Sequence, residues 1–172
     1  MLAEAYTCAD GLQAILANVD DPRQADINLR LGEPEQLSTP AYQIDRDDLL
    51  IVTHRESPLQ NMTAAEVRQL FSSNEPQPVQ VWVYSAGEDI QQVFARDVMH
   101  GQVVTSLARV AFSPQQMSDT LNQDKNAVGI LPRHWKAGSA RDIFSLPDVP
   151  VLAVLKTEPQ GAIKALLACL QK

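Results

Sequence analysis

Between Val79 and Met99 the apolar pattern switches from strand period to helix period across one short turn, and that switch dictates a strand–turn–helix. Val79, Val81 and Val83 alternate with Gln80, Trp82 and Tyr84, as on a half-buried strand. Ser85-Ala86-Gly87 supplies the turn, and Glu88 to Met99 sets Ile90, Val93, Phe94 and Val98 on one helical face. A helix N-terminus just after a strand presents backbone N–H groups outward, which makes it a ready anion site. Here Glu88 and Asp89 stand in the first turn, so the scaffold of an anion site carries two carboxylates of its own.

The remaining chain alternates in the same way. Leu2 to Ala17 reads as a helix with Leu12, Ile15 and Leu16 on one face, weakened at Gly11. Ala25 to Leu31 reads as a short strand, ended by Gly32 and Pro34. Leu49 to Thr53 is a continuous apolar run, suited to a strand buried on both faces. Thr63-Ala64-Ala65-Glu66 is a capping box, in which the hydroxyl takes the N–H of Glu66 and the carboxylate reaches back. Val67, Leu70 and Phe71 follow as the buried stripe, and Asn74 to Pro78 is a polar loop. Val103 to Ala111 reads as extended. Ser113-Pro114-Gln115-Gln116 is a second capping box with proline at the first helical position, before Met117 and Leu121. Ala127 to Leu131 and Asp148 to Lys156 read as strands, and Pro159 opens a helix with Ile163, Leu166, Leu167 and Leu170 on one face. Strands alternating with helices predict an α/β fold with mainly parallel pairing.

Composition sets limits on function. At 172 residues and 45% hydrophobic, the chain can bury a real core as one domain or two small lobes. Its net charge of -7 argues against nucleic acid and against an anionic membrane surface, both of which need a basic face. No stretch approaches a membrane-spanning length, and Met1-Leu2-Ala3-Glu4 lacks the basic and apolar regions of a secretory leader. Cys8 and Cys169 show no metal-type spacing; free thiols are the favoured reading, with one bridge closing nearly the whole chain as the alternative. His54, His100 and His134 show no metal-ligand spacing, Ser85 is in no nucleophile elbow, and there is no phosphate-binding glycine loop. The expectation is a binder and not an enzyme, with no metal and no cofactor.

Four segments in order carry a resemblance. "LLIVTHRESPLQNMTAAEVRQLF" resembles the first crossover of phosphate-type periplasmic substrate-binding proteins, and "VQVWVYSAGEDIQQVF" resembles their next strand and ligand-binding turn. "SPQQMSDTLNQDKNAVGILP" and "DVPVLAVLKTEPQGAIKALLACL" resemble that family's later helix and strand and its return strand and closing helix. The resemblance implies a periplasmic-binding-protein-like α/β fold of type 2, with two small lobes joined by a hinge. Lobe one would be residues 1–51 with 142–172, and lobe two residues 52–141. It further implies capture of a small solute, by family precedent phosphate or another anion, for the permease of an ABC importer in an extracytoplasmic setting. A degenerate interaction or sensory module that keeps the fold without a transport ligand is one alternative. The effector-binding domain of a regulator is another.

Two departures qualify that picture. The family opens with a strand and a ligand-contacting turn before its first helix, whereas this chain begins inside that helix, and the interval Thr7 to Gly11 is too short for the family's second strand. The first lobe would keep three strands, near Ile27, Leu50 and Val151, and a bare edge through which a homodimer is expected. Second, the family's turn carries an arginine followed by Ser-Gly-Thr, and here the tract is Tyr84-Ser85-Ala86-Gly87-Glu88, with no arginine and a carboxylate in place of the threonine hydroxyl.

The ligand-binding candidates are therefore Tyr84, Ser85, Ala86, Gly87 and Glu88 at the turn, with Thr53 and Arg55 after the presumed hinge strand. Ordinary N-capping by Glu88 and Asp89, worth a few tenths to about 1 kcal/mol each, is the plainer reading of those carboxylates. A pocket for a neutral or cationic ligand comes next, and phosphate last. Arg55 could supply a missing guanidinium, although a surface pair with Glu56 is the plainer reading. Thr105, Ser106 and Arg109 are read as solvent-facing, and Trp82 and Tyr84 as packing under neighbouring helices.

Overall fold

The computed structural model describes residues 2–19, 21, 23–36 and 38–171. The chain divides into two compact units, Met1–Arg46 with Pro150–Lys172, and Asp47–Val149. The strands are β1 (Ile27–Leu31), β2 (Ala41–Thr53), β3 (Gln80–Val83), β4 (Arg109–Val110), β5 (Ala127–Pro132) and β6 (Arg141–Leu155), hydrogen-bonded in the order β1-β6-β2-β5-β3-β4, and β2 and β6 contribute residues to both units.

In the first unit β1 (Ile27–Leu31) pairs antiparallel with β6, Ile27 opposite Leu155 and Leu31 opposite Val151. The Pro40 carbonyl takes the N–H of Leu155 at 2.9 Å. Helix α5 (Gly161–Leu170) lays Ile163 and Leu167 against Ala153, Leu155, Ile27, Tyr42 and Ile44. Helix α1 (Leu2–Gly11) packs on α5, and Cys8 is disulfide-bonded to Cys169 across a sequence separation of 161, with Cα atoms 6.0 Å apart. The expectation of free thiols is thus corrected. Sequence spacing carries no information about two helices that meet only when the ends of the chain come together.

Helix α1 is shorter than its apolar pattern suggests. It stops at Gly11, Gln13 turns into the left-handed region at φ 54°, and the N–H of Ala14 closes the end on the Ala9 carbonyl at 2.9 Å. Leu12 and Ile15 therefore do not line a buried face, and Ile15 is 97% exposed. Glycine and the left-handed residue end the helix before its apolar period can be used.

In the second unit the run Leu49–Thr53 is buried throughout and pairs antiparallel with β5 (Ala127–Pro132), Leu49 opposite Pro132 and Thr53 opposite Val128. Strand β3 (Gln80–Val83) joins β5 in parallel, and β4 (Arg109–Val110) joins β3 in parallel. Pairing is mixed, not mainly parallel, because β2 and β6 enter as antiparallel partners.

Helix α2 (Ala64–Ser72) has the expected capping box: the N–H of Glu66 donates to Thr63 Oγ1 at 3.3 Å, and the Glu66 carboxylate accepts the N–H of Thr63 at 2.7 Å. Those bonds hold the Glu66 carboxyl below its ordinary pKa. Val67, Leu70 and Phe71 are buried, with the Phe71 ring 4.8 Å from that of Phe94. Helix α4 (Pro114–Gln123) forms only half of its box. Ser113 Oγ accepts the N–H of Gln116 at 3.1 Å, while the Gln116 carboxamide takes the N–H of Phe112 at 2.7 Å instead of reaching back to Ser113.

The segment Val103 to Ala111 is extended only at β4. Thr105, expected in solvent, is buried: its N–H donates to the Phe71 carbonyl at 2.8 Å and its hydroxyl to Asn74 Oδ1 at 2.8 Å. Ser106 and Arg109 are exposed as expected, the latter with its guanidinium 5.7 Å from the Trp82 ring centroid.

Candidate ligand-binding turn

Strand β3 carries Val81 and Val83 into the core, and the chain then turns through Ser85–Glu88 into α3 (Asp89–Val93). The helix continues through Phe94–Val98 with a wider π turn, in which the N–H of Met99 reaches the Phe94 carbonyl at 2.9 Å. Arg68 on α2 donates to the Val98 carbonyl at 3.2 Å.

The turn is held by a specific set of bonds. The N–H of Glu88 donates to the Ser85 carbonyl at 3.0 Å, and the Gln92 carboxamide donates to the Gly87 carbonyl at 3.1 Å. Gln91 is buried, and its carboxamide oxygen accepts the N–H of Tyr84 at 3.0 Å. Sequence reading missed Gln91. A glutamine one position after the apolar Ile90 is the only signal, and polar residues at such positions usually face water.

Ser85, Ala86, Gly87 and Glu88 are all exposed. Glu88 is the N-cap residue, in extended conformation, and makes no side-chain capping bond. Asp89 Oδ1 accepts the N–H of Ile90 at 2.7 Å. Tyr84 is only 3% exposed, and its phenol oxygen has no hydrogen-bond partner among the described residues. Burial first, then the negative charge of Asp89 and Glu88, pushes the Tyr84 phenol well above its usual pKa, so it stays neutral at any physiological pH. The turn therefore combines exposed backbone, two carboxylates and a buried neutral hydroxyl.

Thr53 and Arg55 are engaged elsewhere. Thr53 is buried, and its hydroxyl donates to the Ala127 carbonyl at 2.7 Å, a bond between β2 and β5. Arg55 lies 3.7 Å from Glu56, and both side chains are more than 60% exposed (63% and 62%), which makes the pair worth little. Among the described residues no hydrogen bond or ion pair joins Arg55 to the turn. No group of three or more His, Cys, Asp or Glu among the described residues is placed to hold a metal ion. His134 instead meets Asp47, beside the Arg133–Asp48 ion pair at 2.8 Å.

Comparison with known proteins identifies the architecture. A phosphate ABC transporter substrate-binding protein from Clostridium perfringens, solved with bound phosphate, matches at a TM-score of 0.74 and 14% identity over 98% of this chain and 76% of that one. An ABC-type phosphate transport receptor from Vibrio cholerae matches at 0.63 and 17% identity over 99% of this chain and 79% of its own. The regulatory domain of CcmR from Synechocystis, in complex with 2-PG, matches at 0.61 and 14% identity over 87% and 73%. At such identities the likeness carries the fold and nothing finer. No family profile matches the sequence, and no curated protein matches it.

Proposed function

We propose that this chain, which has the type 2 periplasmic-binding-protein-like α/β fold, is a small-solute-binding module whose ligand contacts the turn Tyr84–Asp89. The observation that carries the reading is the turn itself. It is an exposed, hydrogen-bonded loop at the end of a buried strand, with a buried hydroxyl left without a partner. Binding, not catalysis, is the proposed activity.

Delivery to an ABC permease, in an extracytoplasmic setting, is the finer part of the proposal. The Cys8–Cys169 disulfide supports that setting, because such bonds persist in oxidising compartments and are rare in the cytosol. The effector domain of a regulator is the second reading, favoured by the likeness to the CcmR regulatory domain. A homodimer through β1, the terminal strand of the order, belongs to the proposal as well. A monomeric mass at every concentration in sedimentation would count against it.

A thermal-shift panel of phosphate, other oxyanions, amino acids and polyamines tests solute binding. A ligand at 100 times its dissociation constant adds about 2.7 kcal/mol of stability. No shift with any member would favour a module that keeps the fold and has lost its ligand.

A further inference from the structure

We propose that the Cys8–Cys169 bridge is a reversible modification site: a dithiol reductant opens it in the folded protein and so releases α1, with the segment that follows it, from α5. The bridge is a latch on one end of the chain, and this role is independent of the solute-binding reading above.

Access is the first requirement, because thiol–disulfide exchange needs a thiolate to reach a sulfur atom. Both cysteines are partly exposed, and both line a cavity of about 400 Å3 with Thr7, Ile44, Asp45 and Gln171. Thr7, Asp45 and Gln171 are exposed, so this cavity opens to solvent. A bridge sealed in a core would react only after unfolding; this one is reached in the native fold.

The second observation is how little else holds α1. Of the α1 side chains described, Ala9 alone is buried, while Tyr6, Thr7 and Asp10 are exposed. The helix has 10 residues, fewer than the roughly 12–15 at which an isolated helix becomes even marginal in water. Past its end, Leu12, Ile15 and Val19 are exposed as well. Segments with few buried contacts open at low free energy, and the bridge opposes that opening by holding Cys8 beside Cys169. Helix α5 keeps an attachment of its own, since Ile163 and Leu167 pack on Ala153 and Leu155. Breaking the bridge therefore frees α1 and leaves α5 on its sheet.

The exchange is a two-electron step. One thiolate of the dithiol attacks a bridge sulfur, forming a mixed disulfide and expelling the other cysteine as a thiolate, which takes up a proton. The second thiol of the reductant then displaces the first cysteine, so the protein ends with two thiols and the reductant with a disulfide. Asp45 on the cavity wall opposes an incoming thiolate; a dithiol copes with that because its second displacement is intramolecular. Release also takes residues 14–19 from one wall of a second cavity, of about 500 Å3, whose opposite wall includes the buried Leu166. Reduction thereby uncovers an apolar patch on α5.

The test is hydrogen exchange read by mass spectrometry on the intact chain, oxidised or treated with dithiothreitol in native buffer, with alkylation to count thiols. The expected result is two alkylated cysteines without denaturant and exchange at least tenfold faster over residues 2–19. Over the same labelling interval Leu49–Thr53 and Ala127–Leu131 should stay protected. The double variant Cys8→Ser, Cys169→Ser should show the fast exchange with and without reductant. An apolar fluorescent dye should brighten severalfold on reduction; equal brightness would overturn the uncovering of Leu166. Thiols that appear only in denaturant would overturn the modification site. Unchanged exchange over residues 2–19 in the reduced chain would overturn the latch. Loss of protection in the two strands as well would show that the bridge holds the whole fold, and would overturn the latch too.

Discussion

The carboxamide oxygen of Gln91 accepts the backbone N–H of Tyr84 at 3.0 Å, tying the end of β3 to α3 in a buried setting. That bond orients the turn on which the proposed ligand contacts depend. Gln91→Ala leaves the Tyr84 N–H without its acceptor, so the expected loss is about 1–3 kcal/mol of stability. Urea unfolding checks it through a lower midpoint at unchanged slope. A change under about 0.5 kcal/mol would show that water replaces the bond.

The Cys8–Cys169 bridge closes a loop over nearly the whole chain, the case in which the chain-entropy account predicts the largest effect. Replacing both cysteines by serine is expected to cost about 2–5 kcal/mol. Alkylation and mass measurement of the unreduced protein should find no free thiol at either position. A melting temperature unchanged by reduction would contradict the stabilising role.

Gly129 on β5 sits where no side chain fits: a Cβ there would lie 2.5 Å from Met117 Sδ and 3.3 Å from Trp82 Cβ. Gly129→Ala should destabilise by about 1–3 kcal/mol through overpacking. The added cost of Gly129→Ala should shrink in a Met117→Ala background, because the clashing sulfur is gone. Strict additivity in that double-mutant cycle would sink the explanation.

Asp47 supplies a pH dependence with a definite sign. Burial alone would raise its pKa, but the hydrogen bonds from His134 and from the Asp48 N–H outweigh burial and bring it below the ordinary carboxylate value. A carboxyl whose folded pKa is depressed adds stability above its unfolded pKa, about 4, and loses it as pH falls through the folded value. Unfolding midpoints should hold between pH 7 and 5 and fall below about pH 4, less steeply in Asp47→Asn. The same acid slope in that variant would assign the effect to other carboxylates.

Arg55→Ala should change stability by less than about 1 kcal/mol, since its partner Glu56 is equally exposed. A larger loss in thermal melts would mean that Arg55 has a structural role beyond that pair.

Much of the fold was legible because local pattern and burial agree. The run Leu49–Thr53 is the buried half of β2, and the capping box at Thr63 and Glu66 opens α2. The alternation before Ser85 is β3, and the stripe after it is the buried face of the following helix. The candidate site was legible in part. Tyr84 to Glu88 is a contiguous turn, whereas Gln91 carried no signal of its role in holding it. Residues 12–16 misled, because an apolar period says nothing about whether a glycine stops the helix first.

The sequence by itself determined the elements, their caps and the two carboxylates at the start of α3, since these depend on residues within one or two turns of each other. Only the tertiary structure decided that Cys8 meets Cys169, that Thr53 and Thr105 spend their hydroxyls inside the fold, and that the Tyr84 oxygen is buried without a partner. Those outcomes depend on which distant groups arrive beside each side chain. Hydrophobic period constrains the face an element buries; it does not say which neighbour will lie against that face.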